Sequence, residues 1–452
     1  MVATARPSAG IPRAYHFPAF KTGTLESGAR LIVCPVPKLP LATLLAVTSS
    51  GAATDPVGLE GIARLTAKLL VEGTALHSGA ELSERLERLG ASLETGADWD
   101  SSIARITFLT EHLDEVINVV GEVLLEPSFP ERELMRLKAE RIADVLQVES
   151  EPRALADEAF ESFLFTPESR YAVQEGGSTG SVPRISRSEI VAFHSAAYVA
   201  PATTFIVAGD VSFDELRDKL SRRFSLQRQR ISQNAPRRSS IASTSRRLRV
   251  LDKPDAPQSE LRVGHGGLAR NDPDYFPTVV MNAILGGLFG SRVNLNLREA
   301  HGYTYGASSY FDWRKDAGPF VISTAVATDV TAAALTEILV EVERIRRSAV
   351  DPLELSLAKD YLIGVFPIRY ETTAAVSAAL ANAVIYDLPP DYYQTYRANI
   401  QAVTAEQVLD VSRRHLHPDA LQTLIVGNRS AIRKSVEALG LGVLEAADRV
   451  PV

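Results

Sequence analysis

The stretch that decides the fold is TTFIVAGDV, residues 203–211, a run of apolar and β-branched residues that ends in a Gly-Asp pair. Such a run is typical of a strand that is buried on both faces. A second run of the same design, LQTLIVGNR, occupies residues 421–429 and ends in Gly and Asn. Each run follows a helical segment with an aromatic residue or histidine near its end, at residues 189–201 and 406–418. The recurrence indicates that one structural unit occurs twice along the chain.

Two long helices further upstream repeat in the same way. Both segments, residues 129–146 and 350–366, have an acidic start followed by apolar residues every three or four positions. Leu134 in the first and Leu355 in the second are separated by almost the same number of residues as the two strand runs. We therefore predict two tandem homologous domains related by internal duplication.

The clearest break in composition is the Ser-, Arg- and Gln-rich segment 227–249, which contains a proline and has little apolar periodicity. We predict that it is a linker between domains at residues 15–226 and 250–452. Each half reads as strands interrupted by long helices without strict alternation, a pattern typical of α+β layers. The predicted fold class is α+β, with a mainly antiparallel sheet packed against helices in each domain.

Composition limits the classes of function. The chain has 452 residues, of which 45% are hydrophobic and 23% charged, and a net charge of −7, so it offers no electrostatic footprint for nucleic acid or an anionic membrane. No run approaches the roughly 20 apolar residues of a membrane span. The first residues carry no apolar signal segment. The compartment stays open: cytoplasmic as the sequence stands, or periplasmic if a signal peptide has been removed.

The single cysteine, Cys34, excludes an intramolecular disulfide and a multi-cysteine zinc site, and its apolar flanks predict a core position. His415 and His417 lie two apart at the end of a predicted helix. Metal binding there would need a third ligand that the neighbouring sequence does not supply, so we predict a surface pair. No G-x-S-x-G nucleophile motif occurs, and nucleophilic hydrolysis is not expected.

The segment GIARLTAKLLVEGT, residues 61–74, is an amphipathic helix with two cations four residues apart, Arg64 and Lys68. One interpretation is a solvated helix face. The segment also resembles the insulinase/pitrilysin-type metallopeptidases, whose inverted zinc motif H-x-x-E-H lies on a helix after the second strand. In this chain the motif positions hold Arg64, Ala67 and Lys68, and the Gly-Thr pair that follows is kept.

The replaced residues cannot support a catalytic zinc, because Arg has no free lone pair, Lys is normally an ammonium ion and Ala offers no base. The family's third ligand is a glutamate on a later helix. The nearest positions here are Glu140, Arg141 and Asp144, and the spacing to Pro152 favours Asp144. A second interpretation of the two cations is that they fill the remnant of the metal pocket and pair with Asp144 or another acid.

A longer match to the same family covers residues 272–311, from an Asp-Tyr helix start through a Leu-Gly-Gly loop to a Tyr-bearing strand. The residues that fall in place are Leu285, Gly286, Gly287, Ser291, Leu297, Arg298, Glu299, Gly302 and Tyr305. The resemblance is closest to two-chain bacterial members, in which one chain binds zinc and the other carries an Arg/Tyr pair.

The Arg/Tyr pair has a direct chemical interpretation. Arg298 lies at a predicted helix end and Tyr305 on a strand predicted to begin near Thr304, and a guanidinium and a phenol aimed at one point can hold a peptide carbonyl and its developing oxyanion. His301 and Gly302, in the turn between them, are further candidate substrate contacts. The alternative is structural: Arg298 pairs with a nearby acid and Tyr305 is an ordinary strand residue.

The resemblance therefore implies the non-zinc subunit of a heterodimeric metallopeptidase. Such a chain binds no metal itself, supplies half of a closed peptide chamber and is inactive alone, while a homologous H-x-x-E-H partner holds the zinc. The expected ligand is a peptide. The alternative is a catalytically inactive scaffold or peptide-binding protein that keeps the fold.

Overall fold

The computed structural model describes residues 14–225 and 239–447. Within these ranges the strands form two six-stranded sheets. The strands of the first sheet are β1 (Lys21–Thr24), β2 (Arg30–Pro35), β3 (Leu41–Thr48), β4 (Ser92–Ala97), β5 (Ser102–Leu109) and β6 (Thr203–Gly209). Those of the second are β7 (Arg247–Asp252), β8 (Gln258–Gly266), β9 (Ala307–Phe311), β10 (Pro319–Ala327), β11 (Gln422–Gly427) and β12 (Leu444–Ala447).

Helices occupy most of the remaining described chain. The first half contains α1 (Ile62–Leu69), α2 (Gly79–Arg88), α3 (Leu113–Leu125), α4 (Glu131–Val148), α5 (Pro152–Leu164), α6 (Arg187–Ala197) and α7 (Phe213–Arg223). The second half contains α8 (Tyr275–Asn282), α9 (Arg292–Asn294), α10 (Thr331–Arg347), α11 (Pro352–Arg369), α12 (Thr373–Ile385), α13 (Tyr392–Ala402), α14 (Ala405–His415) and α15 (Arg429–Glu437). Wider π-helical segments, Ala283–Gly287 and Leu295–Ala300, follow α8 and α9.

The two sheets have the same topology, which confirms the predicted duplication and fold class. Their strand orders are β1-β2-β6-β3-β5-β4 and β12-β7-β11-β8-β10-β9. In both sheets the apolar run that suggested the repeat is an interior strand, parallel to one neighbour and antiparallel to the other. The edge strands differ, because β1 is antiparallel to β2 whereas β12 is parallel to β7.

Each half of the chain contributes one helix that packs on the sheet of the other half. The aromatic side chains Phe160 and Phe163 of α5 pack in a core cluster with Leu424 and Val426 of the second sheet. In the opposite direction α12 packs on β3 and β6 of the first sheet, where the hydroxyls of Thr373 and Thr43 lie 2.9 Å apart. Each sheet is therefore covered on one face by a helix from the other half, which the predicted domain ranges do not convey.

The predicted linker is only partly described, since residues 226–238 lie outside the described ranges. Its end is not a linker: β7 begins at Arg247, where it pairs with the interior strand β11. One helical stretch in the described chain, Tyr275–Ala300, is long and apolar enough to cross a membrane, but 56% of its apolar window is buried inside the protein. Packing in the second domain accounts for that apolar character.

Candidate functional site

The start of helix α1 is fixed by a buried ion pair. Both oxygens of Asp55 accept backbone hydrogen bonds, from the N–H groups of Gly61 at 2.7 Å and Ala63 at 3.1 Å. The guanidinium of Arg170 lies 2.8 Å from the same carboxylate, and both side chains are fully buried. Gly61 has φ 101°, and a Cβ there would lie 2.4 Å from the carbonyl oxygen of Gly176. Helix α1 is thereby held tightly against the loop that contains residues 173–177.

The zinc-motif positions lie on α1, which ends before Gly73 and Thr74. Ala67 is fully buried, whereas Arg64 and Lys68 are exposed. Arg64 lies 3.4 Å from Glu175, which corresponds to the second interpretation, in which the cation pairs with Asp144 or another acid. Lys68 has no ion pair or hydrogen bond to any described residue and corresponds to the solvated interpretation. The two cations therefore differ in their surroundings.

The third-ligand position stays a prediction. Asp144 is exposed on α4, and Arg141, three residues earlier, interacts electrostatically both with Arg64, which repels it, and with Asp144, which attracts it. The Arg141 guanidinium donates to the carbonyl oxygens of Gly176, at 3.2 Å, and Gly177, at 2.9 Å. Burial lowers the pKa of Arg141 from its usual value. A donor set of two cations and an alanine does not fit zinc, because it presents no carboxylate or imidazole to the metal.

Glu175 is a member of this region that the sequence pattern did not reveal. Burial raises the pKa of its carboxyl to about 7, and the attraction of Arg64 only partly opposes that shift. Its partner lies 111 residues away in the sequence, and the loop that carries it has no motif. A single sequence therefore contains no signal that could have identified Glu175.

The second candidate region is the π-helical segment Leu295–Ala300, which carries Arg298. The helix before it is anchored by Arg292, which donates two hydrogen bonds to Glu354 of α11, at 2.7 and 2.9 Å. Within the segment the Asn296 amide donates to two carboxylates of α10. These contacts attach the segment to two long helices.

Arg298 is partly exposed and stacks on an aromatic ring. Its side chain is 35% exposed, and its guanidinium carbon lies 4.6 Å from the centre of the Phe289 ring. Among the described residues the acid within ion-pair distance is Glu299, at 3.6 Å, which is longer than a hydrogen bond. The sequence pattern did not predict the role of Phe289, for which the available signal was an aromatic residue in a glycine-rich loop.

Tyr305 does not lie on a strand, contrary to the prediction. Strand β9 begins at Ala307, opposite Thr324. The hydroxyl of Thr304 bonds both the N–H and the carbonyl oxygen of Gly306, at 3.1 and 2.9 Å, so these backbone groups turn back locally instead of joining the sheet. The resulting bend turns Tyr305 outward, and the residue is 95% exposed.

A cavity of about 580 Å³ lies beside Tyr305. Tyr305 and Phe289 line it together with polar strand residues such as Gln258, Glu260 and Ser323. Arg298 is not among its lining residues. The structure therefore brings Tyr305 and Phe289 to one cavity and places Arg298 against the Phe289 ring.

The other two residues predicted to contact substrate, His301 and Gly302, make contacts within their own domain. The His301 ring stacks on Tyr303, with centroids 4.9 Å apart, and lies 3.8 Å from Glu337. Gly302 has φ 65° and donates its N–H to the Arg298 carbonyl, which ends the helical segment. Neither His301 nor Gly302 lines the cavity.

Of the predicted surface pair of histidines, His417 is exposed and His415 is half-buried, and the two rings have different partners. His415 lies 2.6 Å from Asp274 and forms a cluster with Asp272, so the fold does supply further potential ligands. Arg414 binds the same Asp274 carboxylate, which makes the cluster an ion-pair network. His417 instead packs against the buried His265.

Cys34 lies in the core, as predicted, and burial raises the pKa of its thiol to about 11. A thiol with this pKa is almost entirely protonated at neutral pH and is a poor nucleophile. Cys34 therefore offers no route to covalent catalysis.

Both halves of the chain match profiles of known protein families. Residues 38–169 match the profile of the insulinase family (peptidase family M16), and residues 184–362 match that of the peptidase M16 inactive domain. The Helicobacter pylori (strain ATCC 700392 / 26695) protein named non-peptidase homolog YmxG is 26% identical, over 85% of this chain and 88% of that protein. An uncharacterized zinc protease of Mycobacterium leprae (strain TN), ML0855, is 22% identical, over 85% of this chain and 86% of that protein.

The fold has a similar solved structure. The peptidase M16 inactive domain from Pseudomonas fluorescens superimposes with a TM-score of 0.84 at 25% identity, covering 90% of this chain and 98% of that one. The sequence and the fold thus resemble the same group of proteins.

Proposed function

The chain belongs to the insulinase (peptidase M16) family, and on that premise we propose that it is the non-zinc subunit of a two-chain zinc metallopeptidase. The chain is an inactive-type member, because its α1 presents Arg64, Ala67 and Lys68 at the positions of the zinc ligands and the catalytic base. In the proposal, a homologous chain with H-x-x-E-H supplies the zinc, the attacking water and the base.

The observation that carries the proposal is the exposure of Tyr305. A tyrosine that is 95% exposed contributes almost nothing to the packing of its own domain, yet its backbone is held by the Thr304 bend beside the 580 Å³ cavity. Large aromatic side chains in such positions are characteristic of contact surfaces for another molecule. We assign the Tyr305 hydroxyl as a donor to a bound peptide carbonyl.

Arg298 is the second donor in this proposal. Its guanidinium carries five N–H donors, and its guanidinium carbon lies over the Phe289 ring, 4.6 Å from the ring centre. The longer contact to Glu299 does not occupy these donors. A charged donor next to a developing oxyanion stabilises the transition state more than the ground state, which lowers the barrier to peptide cleavage.

A second candidate function is peptide binding without turnover. It is favoured by one observation: Arg298 does not line the cavity that Tyr305 lines in the isolated chain. A relative named as a non-peptidase homolog is consistent with it. In this case the cavity binds peptide, and no partner converts the bound peptide to product.

Reconstitution separates the two candidates. The chain is mixed with a homologue that carries H-x-x-E-H, ideally one encoded beside it, and hydrolysis of a quenched fluorescent peptide library is followed. The proposal predicts cleavage by the mixture and none by this chain alone. Peptide binding by this chain, with a rate of cleavage equal to that of the zinc homologue alone, would favour the second candidate.

A further inference from the structure

Asn294 lies where three parts of the candidate site meet. It is the last residue of α9, and the π-helical segment that carries Arg298 begins at the next residue. Asn294 is only 3% exposed, yet it is one of the residues that line the cavity beside Tyr305. A buried amide at this position can relate the Arg298 segment to the cavity.

The two polar atoms of the Asn294 amide bind two different segments. The nitrogen donates a hydrogen bond to the carbonyl oxygen of Phe289, at 2.6 Å. The oxygen accepts one from the N–H of Ala307, at 3.0 Å. Phe289 carries the ring on which Arg298 stacks, and Ala307 is the second residue after Tyr305. One side chain therefore connects the loop, the helical segment and the bend.

The bend at Tyr305 has a second support on strand β10. The hydroxyl of Thr324 lies 3.0 Å from both the Thr304 hydroxyl and the carbonyl oxygen of Gly306. Asn294 binds the N–H of the residue that follows Gly306. The backbone after Tyr305 is thus held from the sheet on one side and from the helical segment on the other.

A comparison with the first half shows that the fold does not require this bond. Strand β9 is the edge strand of the second sheet, and β4 holds the same place in the first. Among the residues that the structure describes, no side chain forms a hydrogen bond to the backbone of β4. An edge strand at this place in the sheet therefore forms without an asparagine against its backbone.

Asn282 provides a second comparison within the same sheet. Its amide nitrogen donates to the carbonyl oxygen of Ser309 on β9, at 3.1 Å, and its oxygen accepts from the Ser309 hydroxyl, at 2.7 Å. Asn282 does not line the cavity. It therefore binds the edge strand without connecting that strand to the Phe289 loop.

We propose that Asn294 is a positioning residue, whose amide sets the register between the Phe289 loop, the Arg298 segment and the bend at Tyr305. Because the amide group is planar, its donor and its acceptor keep a fixed separation, and the two segments that they bind keep a fixed relation. Asn294 acts through the Arg298 and Tyr305 donors, since both polar atoms of its amide already have partners within the chain. The inference rests on the proposed function of those donors.

The first test is the kinetics of the reconstituted pair. Asn294→Ala removes both hydrogen bonds and should lower kcat by roughly 10- to 100-fold, because a displacement of about 1 Å has an effect of this size. KM should change by less than about threefold, since the oxyanion develops only in the transition state. The matched control is Asn282→Ala, which also removes two hydrogen bonds. It should lower the Tm by a similar amount and keep kcat.

Coupling distinguishes positioning from general damage. If Asn294 acts through the Phe289 ring, the double variant Asn294→Ala/Phe289→Ala should lose less activity than the product of the two single losses. Independent losses would multiply. The same comparison between Asn282→Ala and Phe289→Ala should give simple multiplication.

The second test uses the isolated chain and needs no partner. Asn294→Asp keeps an oxygen that accepts from the Ala307 N–H but places a carboxylate oxygen against the Phe289 carbonyl, which repels it. Hydrogen exchange read by mass spectrometry should be faster in fragments from residues 286–291 and 303–309 of Asn294→Ala, and only in 286–291 of Asn294→Asp. Asn294→Asp should also lower kcat, roughly tenfold, which keeps the inference testable if Asn294→Ala does not fold.

The two tests separate this inference from the proposed function. A pair that cleaves nothing with the unmodified chain would refute the proposed function, while exchange in the isolated chain would still decide whether Asn294 holds the two segments together. In an active pair, an unchanged kcat for Asn294→Ala, or an equal loss of kcat for Asn282→Ala, would overturn the inference. Unchanged exchange of both segments in Asn294→Ala would overturn it as well.

Discussion

The Arg298 guanidinium carbon lies 4.6 Å from the centre of the Phe289 ring, and Phe289 in turn lines the cavity beside Tyr305. The ring thus connects the two residues that the proposed function requires. It restricts the orientation of the guanidinium without using its hydrogen-bond donors. This contact is one that the sequence did not reveal.

Replacing Phe289 should affect activity through Arg298. Phe289→Ala removes the stacking surface, worth about 0.5–1 kcal/mol at an exposed site, so the cleavage rate of the reconstituted pair should fall by roughly two- to fivefold. Phe289→Tyr keeps the ring and should retain the rate. Equal rates for Phe289→Ala and the unmodified chain would show that the stack does not position Arg298.

Removing the donors themselves should have a larger effect. Arg298→Ala or Tyr305→Phe should lower the kcat of the reconstituted pair by about 10- to 1000-fold, the range for loss of an oxyanion donor. Tyr305→Phe should leave the Tm unchanged because the residue is 95% exposed. The control is Tyr303→Phe, which packs on His301 outside the cavity. If Tyr303→Phe and Tyr305→Phe gave the same kcat, the donor role of Tyr305 would be refuted.

The buried pair of Asp55 and Arg170 should control the stability of the α1 region. Arg170→Met leaves the Asp55 carboxylate buried without its partner and should lower the free energy of unfolding by about 3–5 kcal/mol. The double variant Asp55→Asn/Arg170→Met should lose less than the sum of the single changes, because no unpaired charge remains. Urea denaturation measures all three values, with Arg347→Met, at a 77% exposed side chain, as the control. Purely additive losses would contradict a coupled pair.

Glu175 should make stability depend on pH. The pKa of its carboxyl is raised from a usual value of 4.5 to about 7 in the folded chain, chiefly by burial. Between these values the folded state binds more protons than the unfolded state, so the free energy of unfolding falls as pH rises through this window. The contribution is about 1–3 kcal/mol. Burial also raises the pKa of Asp100 to about 6, which makes stability depend on pH in the same direction. The contribution of Glu175 is therefore measured by comparing the unmodified chain with a variant.

The matched variant for this test is Glu175→Gln, which cannot ionise. Denaturation midpoints between pH 4.5 and pH 7 should decline more steeply for the unmodified chain than for the variant. Parallel slopes would mean that Glu175 does not carry the raised pKa.

The duplication, the α+β class and the positions of most helices follow from the sequence because each depends on local patterns. The apolar runs that end in glycine identify β6 and β11, and the three- to four-residue periodicity identifies helices such as α4 and α11. The packing of α5 and α12 on the sheet of the other half does not follow from the sequence, since an amphipathic helix specifies a buried face but not the sheet that covers it.

The site was predictable only in part, for similar reasons. Arg298 was placed correctly on a helix end, whereas the bend at Tyr305 depends on a local side-chain bond of Thr304 that competes with the strand. The partners of Arg64 and His415 lie more than a hundred residues away in the sequence. Such contacts arise from tertiary packing and leave no trace in a single chain's spacing.

The most direct test of the central claim is a titration of the H-x-x-E-H homologue with this chain, with peptide hydrolysis as the readout and zinc content measured on each purified chain. The account predicts that this chain alone holds no stoichiometric zinc and cleaves nothing. Activity of the mixture should rise linearly and reach a plateau at equal amounts of the two chains. Chelator-sensitive hydrolysis by the isolated chain, or activity of the homologue that does not change as this chain is added, would contradict it.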